Sequence, residues 1–198
     1  MTRADTGKRP SAARDRLLGT ASGIFYAEGI HSVGVDRILA DAQVTRATFY
    51  RHFPSKEDLV LAYLDGVDRA IRGQVEAAVA GQPPPVEALR AISSSIAEGI
   101  RSPGFRGCAF LNAVAEYPDP EHPAHRAVLD HRQWFLDTIT GLFAQVRAEA
   151  AEPAARHFVM LRDGAMAAGC LFDPDLVCET FLRGVEGLLR SQSAPQPL

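Results

Sequence analysis

The chain has 198 residues, is 46% hydrophobic and carries a formal net charge of −3, enough for one good-sized domain or a small domain joined to a larger one, and too acidic to bind nucleic acid by bulk electrostatics. Three cysteines, Cys108, Cys170 and Cys178, form no CxxC pair and cannot all be bridged within one chain, so a reduced, cytoplasmic protein is expected. No apolar run approaches the ~18 residues of a membrane span, and the first residues lack the apolar core of a signal peptide, so no membrane partner is expected.

Charge is unevenly distributed. Met1 to Val60 holds nine Lys or Arg against seven Asp or Glu, while the remainder holds twelve against seventeen. Residues 1–10 carry Arg3, Lys8 and Arg9 without apolar periodicity and read as a flexible arm, either a minor-groove contact or a solvated tail. Leu17, Leu18, Ala21, Ile24 and Phe25 then recur at three- and four-residue steps, predicting a helix from Ser11 to Glu28 that Gly29 stops. Gly34 opens a short second helix with Val35, Ile38 and Leu39 on one face, Gln43 sits in a turn, and Thr45 is placed to cap a third helix. In that third helix Phe49 and Phe53 stand four apart and can be buried together, leaving Arg46, Thr48, Tyr50, Arg51 and His52 for the other face. Cations, hydroxyls and planar groups at this density suit phosphates and base edges, as a recognition helix in a DNA major groove requires. The alternative is an ordinary solvated helix face.

Pro54 blocks continuation. Ser55 begins an S-x-x-D capping box, and Leu59, Tyr63, Val67, Ile71, Val75 and Ala78 form the stripe of a long helix reaching about Ala80. Prolines at 83–85 start the next, with Val86, Leu89, Ile92, Ile96 and Ile100 on one face, and Ser102-Pro103-Gly104 breaks it. A short apolar helix from Cys108 to Tyr117 and a loop from Pro118 to Pro123 precede a long helix from Ala124 to Ala150, with Pro153 opening its successor. From Ala154 to Phe172 the chain is apolar on several faces, and GAMAAG (164–169) offers small residues where another helix could approach. Asp173-Pro174-Asp175 restarts a helix striped by Val177, Phe181, Gly184, Val185 and Leu188. So much apolar surface on two adjoining helices predicts a homodimer packed through them, with Phe158, Leu161, Ala165 and Ala168 joining that last stripe at the interface. Residues 193–198 read as a loose tail, and no strand pattern or repeat is visible.

The run RDRLLGTASGIFYAEGI…GVDRILADAQVTRATFYRHFPSKEDLVLAYL, about the first third of the chain, resembles the TetR family of bacterial one-component transcriptional regulators in both spacing and residue type. RGCAFLNAVAEYPDPEHP, Arg106 to Pro123, is similar to a sub-branch of that family. The resemblance implies an all-α protein: a three-helix helix-turn-helix domain at residues 11–55, followed by a larger helical ligand-binding and dimerisation domain at 56–192. It implies that Arg46, Ala47 and Tyr50 face base edges, with Arg46 suited to a bidentate guanine contact. Thr45, Thr48, Tyr50, His52 and Lys56 would hold phosphates, Arg51 could do either, and the helix opening at Gly34 would offer backbone N–H groups to another. Two departures stand out: the family usually has Ser or Thr near Gly34 and Gly near Gln43. The implied partners are a palindromic double-stranded operator, met by half-sites ~34–36 Å apart, and a small-molecule effector that moves the helix starting at Lys56 and releases the protein as a repressor is released.

Phe105, Phe110, Leu111, Trp134 and Phe135 are the expected apolar lining of an effector pocket, with Asn112, Glu116 and Tyr117 orienting the molecule and Cys108 at its side; ordinary core packing is the alternative for each. Cys108 could also be a redox or electrophile sensor if a nearby cation, such as Arg106, favoured its thiolate, or a small core residue. Glu121, His122, His125 and His131 form the only cluster resembling a metal site, but the spacing is loose and surface histidines are the simpler account, so no metal or cofactor is expected. No Ser, His and acid arrangement, glycine-rich phosphate loop or HExxH pattern is present, so an enzyme is a distant alternative, as is a module using the helix-turn-helix for protein contact.

Overall fold

The structure, a computed structural model, describes residues 11–193. The expected basic arm, residues 1–10, and the tail at 194–198 lie outside the described residues. The described residues contain nine α-helices, one 3-10 turn and no strand: α1 (Ala12–Glu28), α2 (Val35–Ala42), α3 (Arg46–His52), α4 (Lys56–Val79), α5 (Pro85–Arg101), α6 (Ala109–Glu116), α7 (Pro123–Val146), the 3-10 turn (Ala148–Ala150), α8 (Ala151–Ala168) and α9 (Pro174–Ser193). No helix among them is long and apolar enough to cross a membrane. The chain divides into two compact units, residues 1–63 and 64–198, and the division falls inside α4 rather than at its start.

In the first unit, Leu17, Ala21 and Phe25 on α1, Ile38 and Ala42 on α2, and Phe49 on α3 are buried in one core. Phe53, Leu59, Val60 and Tyr63 complete it. Phe25 meets the Tyr63 ring edge-on at 5.8 Å, and Phe53 tilts against Phe49 at 6.1 Å; such pairs add roughly 0.5–1.5 kcal/mol beyond area burial. Gln43 ends α2 in the left-handed conformation, φ 52°, where glycine is the low-cost residue. The Val44 N–H donates back to the Leu39 carbonyl at 3.1 Å, so the backbone turn closes despite the side chain.

In the second unit, Phe158 of α8 is wholly buried, with Phe135 and Phe143 of α7 and Phe181 of α9 around it at 6.4–6.5 Å. Leu89, Ile92 and Ile100 of α5 and Val185 and Leu189 of α9 extend this core. The single long helix expected from Ala124 to Ala150 is interrupted. Arg147 is extended (φ −158°, ψ 105°), so α7 ends at Val146 and a 3-10 turn intervenes. Accordingly α8 begins at Ala151, and Pro153 sits inside its first turn, where its missing N–H would have had no helical partner. Within GAMAAG, Gly169 is the residue that permits close packing: a Cβ there would lie 2.7 Å from Ile100 Cγ2 and 3.0 Å from Phe105 Cε1, whereas Gly164 has open space.

The residues expected at a dimer face are shared between the unit's interior and an open groove on α8 and α9, whose lining includes Leu161, Ala165, Ala168, Val177 and Phe181. Phe158, Ala165, Val177, Phe181, Val185 and Leu188 are buried in the unit's own core, and Gly184 lies against Leu161. The large exposed apolar side chains of α8, α9 and their connection are Met160, Leu171, Phe172 and Leu176. Every third or fourth residue of these helices is apolar, but the stripe that looked outward-facing is the one that Phe143 and Leu89 need on the inside.

Candidate nucleic-acid interface

Helix α3 is short, so its position depends on its cap and its core residue. The Thr45 hydroxyl accepts from the Thr48 N–H at 3.3 Å and donates to Thr48 Oγ1 at 3.0 Å, a cap of the kind worth about 1 kcal/mol. Phe49 has no exposed surface, and the ring of Tyr50 stands edge-on to it at 5.1 Å while remaining 46% exposed. Burying Phe49 and Phe53 turns Thr45, Arg46, Ala47, Tyr50 and Arg51 to solvent, with Thr48 and His52 half-buried beside them. His52 Nε2 shares a 3.2 Å hydrogen bond with Ser11 Oγ, tying α3 to the start of α1.

The cations differ in how firmly they are held. The Arg46 guanidinium donates to the Asp36 carboxylate of α2, and both side chains are more than half exposed. An exposed pair of this kind contributes ~0.2–1 kcal/mol, so Arg46 is placed over the surface yet can exchange Asp36 for another anion or a base edge. Lys56, expected to hold a phosphate, donates to the Ile30 carbonyl at 2.7 Å and lies 5.9 Å from the centre of the Phe25 ring. Part of its hydrogen-bonding capacity is therefore spent inside its own unit. At Gly34 the helix opens with no side-chain cap, and a Cβ there would meet nothing within 4 Å. Ser55 accepts from the Asp58 N–H at 3.0 Å, as the capping box requires, while its hydroxyl donates to the Asp58 carboxylate at 2.7 Å.

In the second unit, a half-open pocket of about 100 Å³ is lined by Ile71, Gln74 and Val75 of α4, Ile92, Ser95, Ile96 and Gly99 of α5, Phe135 of α7, and Arg162 and Met166 of α8. Of the residues expected to line an effector site, Phe135 does so. Phe105, Cys108, Phe110, Leu111, Asn112, Glu116, Tyr117 and Trp134 do not line this pocket. The reason is that α6 spends its aromatic surface on α7 and the loop before it. Phe110 stacks on His131 at 3.7 Å and 6°, Tyr117 stacks on His122 at 4.4 Å, and Asn112 donates to the Arg106 carbonyl at 2.9 Å. Trp134 instead receives the Arg72 guanidinium over its ring at 4.0 Å. The histidines are separately engaged too: the His122 Nδ1 accepts from the Ala124 N–H and His125 Nδ1 donates to the Tyr117 carbonyl at 2.7 Å. Among the described residues no three His, Cys, Asp or Glu side chains are grouped to hold a metal ion.

A buried charged network lies behind the pocket. Arg162, 5% exposed, donates to Asp163 Oδ1 at 2.8 Å and to Cys108 Sγ at 3.4 Å. Burial works against its charge, but the Cys108 sulfur and the Asp163 carboxylate outweigh it and hold its pKa above the ordinary value. Asp163 also accepts from Arg132 at 2.6 Å. His131, 3% exposed, donates from Nδ1 to Asp68 at 2.7 Å. Burial pushes the His131 pKa down despite Asp68, so this contact is a neutral imidazole donating to a carboxylate and not an ion pair. The Asp68 carboxyl is penalised by its own burial, yet hydrogen bonds from Arg72 and His131 hold its pKa below the ordinary range. Arg162 had a signal in the sequence: it falls in the buried register of α8, with Ala151, Ala155, Phe158 and Ala165, where an apolar residue is the norm.

Comparison with known proteins connects both units to one family. Residues 17–63 match the model described as bacterial regulatory proteins, tetR family. The chain is 32% identical to the transcriptional regulator AcuR of Cereibacter sphaeroides over 96% of this chain and 84% of that protein. A solved structure of a TetR-family transcriptional regulator from Streptomyces coelicolor is 71% identical, with a TM-score of 0.90 over 92% of this chain and 96% of that one. The regulatory protein TetR from Rhodobacter sphaeroides, at 26% identity, superimposes with a TM-score of 0.77 over 91% and 98% of the two chains. The match extends over the solvent-facing polar helix on its aromatic core and over the helical unit that follows, and the chain belongs to the TetR family of DNA-binding transcriptional regulators.

Proposed function

We propose that the protein is a cytoplasmic, homodimeric repressor that leaves a palindromic operator when a small molecule occupies the second unit's pocket. The observation that carries this reading is the continuity of α4, which begins at Lys56 beside the recognition segment and supplies Ile71, Gln74 and Val75 to the pocket wall. A ligand that favours one arrangement of those three side chains biases a helix that both units share. On the duplex, Arg46, Ala47 and Tyr50 read base edges, Thr45, Thr48, His52 and the α2 N-terminus at Gly34 hold phosphates, Arg51 does either, and Lys56 steadies the grip.

Dimerisation uses the exposed apolar face of α8 and α9. Met160, Gly164, Ala168, Phe172, Leu176 and Thr180 line an open groove there, and an apolar surface of this kind on a soluble monomer marks an interaction site. Selection of bound fragments from genomic DNA, followed by fluorescence anisotropy on the selected duplex, tests the reading. It requires two protomers per site and a loss of at least about ten-fold in affinity for Arg46→Ala, within the range expected for one bidentate base contact. Unchanged affinity and base preference in Arg46→Ala would remove the docking; a monomer by sedimentation at working concentration would remove the dimer.

A second reading is favoured by the 3.4 Å contact between Arg162 Nη2 and Cys108 Sγ: Cys108 acts as a redox or electrophile sensor, with Arg162, not the sequence-adjacent Arg106, as the cation beside its sulfur. DNA release by N-ethylmaleimide that is abolished in Cys108→Ser supports it, and release that persists in Cys108→Ser sinks it.

A further inference from the structure

The structure assigns a charge preference to the effector pocket: we infer that it takes a small carboxylate with a short apolar tail, its head group held by Arg162. This rests on the ligand-responsive reading above and names the chemical class that reading leaves open.

Three observations support the assignment. First, Arg162 is the only ionisable side chain in the pocket lining, and no acidic residue shares that lining with it. Its guanidinium lies 5.4 Å from the centre of the Phe135 ring, another wall of the same pocket, so the charged end and not only the stem is near the cavity. Second, a guanidinium has five N–H donors, and the contacts to Asp163 and Cys108 use two of them. Third, the local charges do not balance. Asp163 is shared by two guanidinium groups, those of Arg132 and Arg162, and the nearby Asp68 carboxylate is matched by Arg72 with His131 neutral. One positive charge is left over beside a pocket with mostly aliphatic and aromatic walls.

An anion entering the pocket would meet that surplus positive charge away from bulk water, with guanidinium N–H donors left to hold it. A carboxylate matches the planar fork of the guanidinium and accepts two parallel N–H bonds, which a neutral amide cannot do. The size of the cavity limits the remainder of the molecule. At about 100 Å³ it holds a short chain or a single ring, which Ile92, Ile96 and Phe135 would contact, while the Gln74 amide and Ser95 hydroxyl are placed to meet a second polar group.

The test is calorimetric titration of the full-length protein with benzoate and hexanoate, each paired with its neutral isostere, benzamide and hexanamide. The carboxylates are expected to bind about ten-fold or more tightly than the amides. In Arg162→Met that ratio should fall to about one with amide binding retained, and in Arg162→Lys it should be reduced but still favour the acid. If Arg162→Met does not fold, because Asp163 loses a partner, Arg162→Lys and the acid-to-amide ratio of the unaltered protein still decide. Equal binding of acid and amide, a preference that survives in Arg162→Met, or no binding by any of the four probes overturns the inference. Anisotropy on the selected operator run beside it separates the two levels: amides that bind as well as acids and release DNA leave the ligand-responsive reading standing without the carboxylate site. Carboxylates that bind through Arg162 with no effect on DNA leave the site standing without that reading.

Discussion

The two units place their chemistry on opposite sides of their own surfaces. In the first, the residues suited to recognition, Arg46, Tyr50 and Arg51, are exposed, and the interior below them is purely apolar and aromatic. In the second, the informative polar groups, Arg162 and His131, are buried, and the exposed residues of α8 and α9 include apolar ones such as Met160 and Phe172. A rigid surface reader needs an inert core and a polar skin; a pocket that senses a small molecule needs polar groups where water is excluded. Substitutions should therefore act differently in the two units.

The largest expected effect is Phe49→Ala. Deleting a fully buried phenylalanine costs roughly 3–5 kcal/mol, and Phe49 is the buried residue by which α3 is anchored. Urea denaturation should show that loss, and operator affinity should collapse while titration of the second unit's pocket with benzoate is preserved. Operator binding that survived would mean that α3 is positioned by something other than this ring.

Next in size is Gly169→Ala. The added methyl would sit 2.7 Å from Ile100 Cγ2, and overpacking of this kind costs typically ~1–3 kcal/mol. Gly141→Ala is the control, because a Cβ there meets nothing within 4 Å and helix propensity alone should make it neutral or stabilising by up to about 1 kcal/mol. A thermal melt that ranks the two variants in the reverse order would contradict the close approach of α8 to α5. Smaller again is Thr45→Ala, which removes the α3 cap at a cost of about 1 kcal/mol. Its stability loss should be modest and its operator affinity weakened more than stability alone explains, since Thr45 is also one of the proposed phosphate contacts.

These contrasts also account for what can be read without coordinates. The recognition segment is local: cap, core aromatics and exposed cations all lie within nine residues, Thr45 to Phe53, so spacing alone places them. The helices of the second unit are nearly as visible from their periodicity, but their assignments of inside and outside are not. The stripe of Val177, Phe181 and Val185 fits an internal core or a dimer face equally well, and the choice depends on α5, which meets α9 through Arg90 and Glu186, 96 positions apart, among others. The pocket is less legible still. Arg132 meets Asp163 across 31 positions, Cys108 meets Arg162 across 54 and Asp68 meets His131 across 63. In sequence each is one more charged or polar residue on a helix; what could have marked Arg162 is its place in a core register. The aromatic residues of α6 do not line the pocket described above, and in sequence they look the same whether they stack on histidines or on a ligand.

The smallest expected effect concerns pH, and it probes whether the second unit's buried charges are arranged as described. His131 has a pKa lowered by burial, so between its folded value and its ordinary value near 6.5 the unfolded chain binds a proton that the folded chain does not. Stability is then fully present above about pH 6.5 and falls as the solution is acidified through that window. Asp68, whose pKa is also depressed, acts in the same direction at lower pH, its contribution being lost as pH falls below the ordinary carboxylate range near 3.9. His131→Gln keeps an N–H donor that can face Asp68 and removes the titration. Urea melts at pH 7.5 and 5.5 should show a smaller acid-induced loss in the variant than in the unaltered protein, the difference between the two isolating His131 from the other histidines. Equal losses would mean that burial leaves the His131 pKa unshifted, and a larger loss in the variant would mean that the imidazole is protonated in the fold and paired ionically with Asp68.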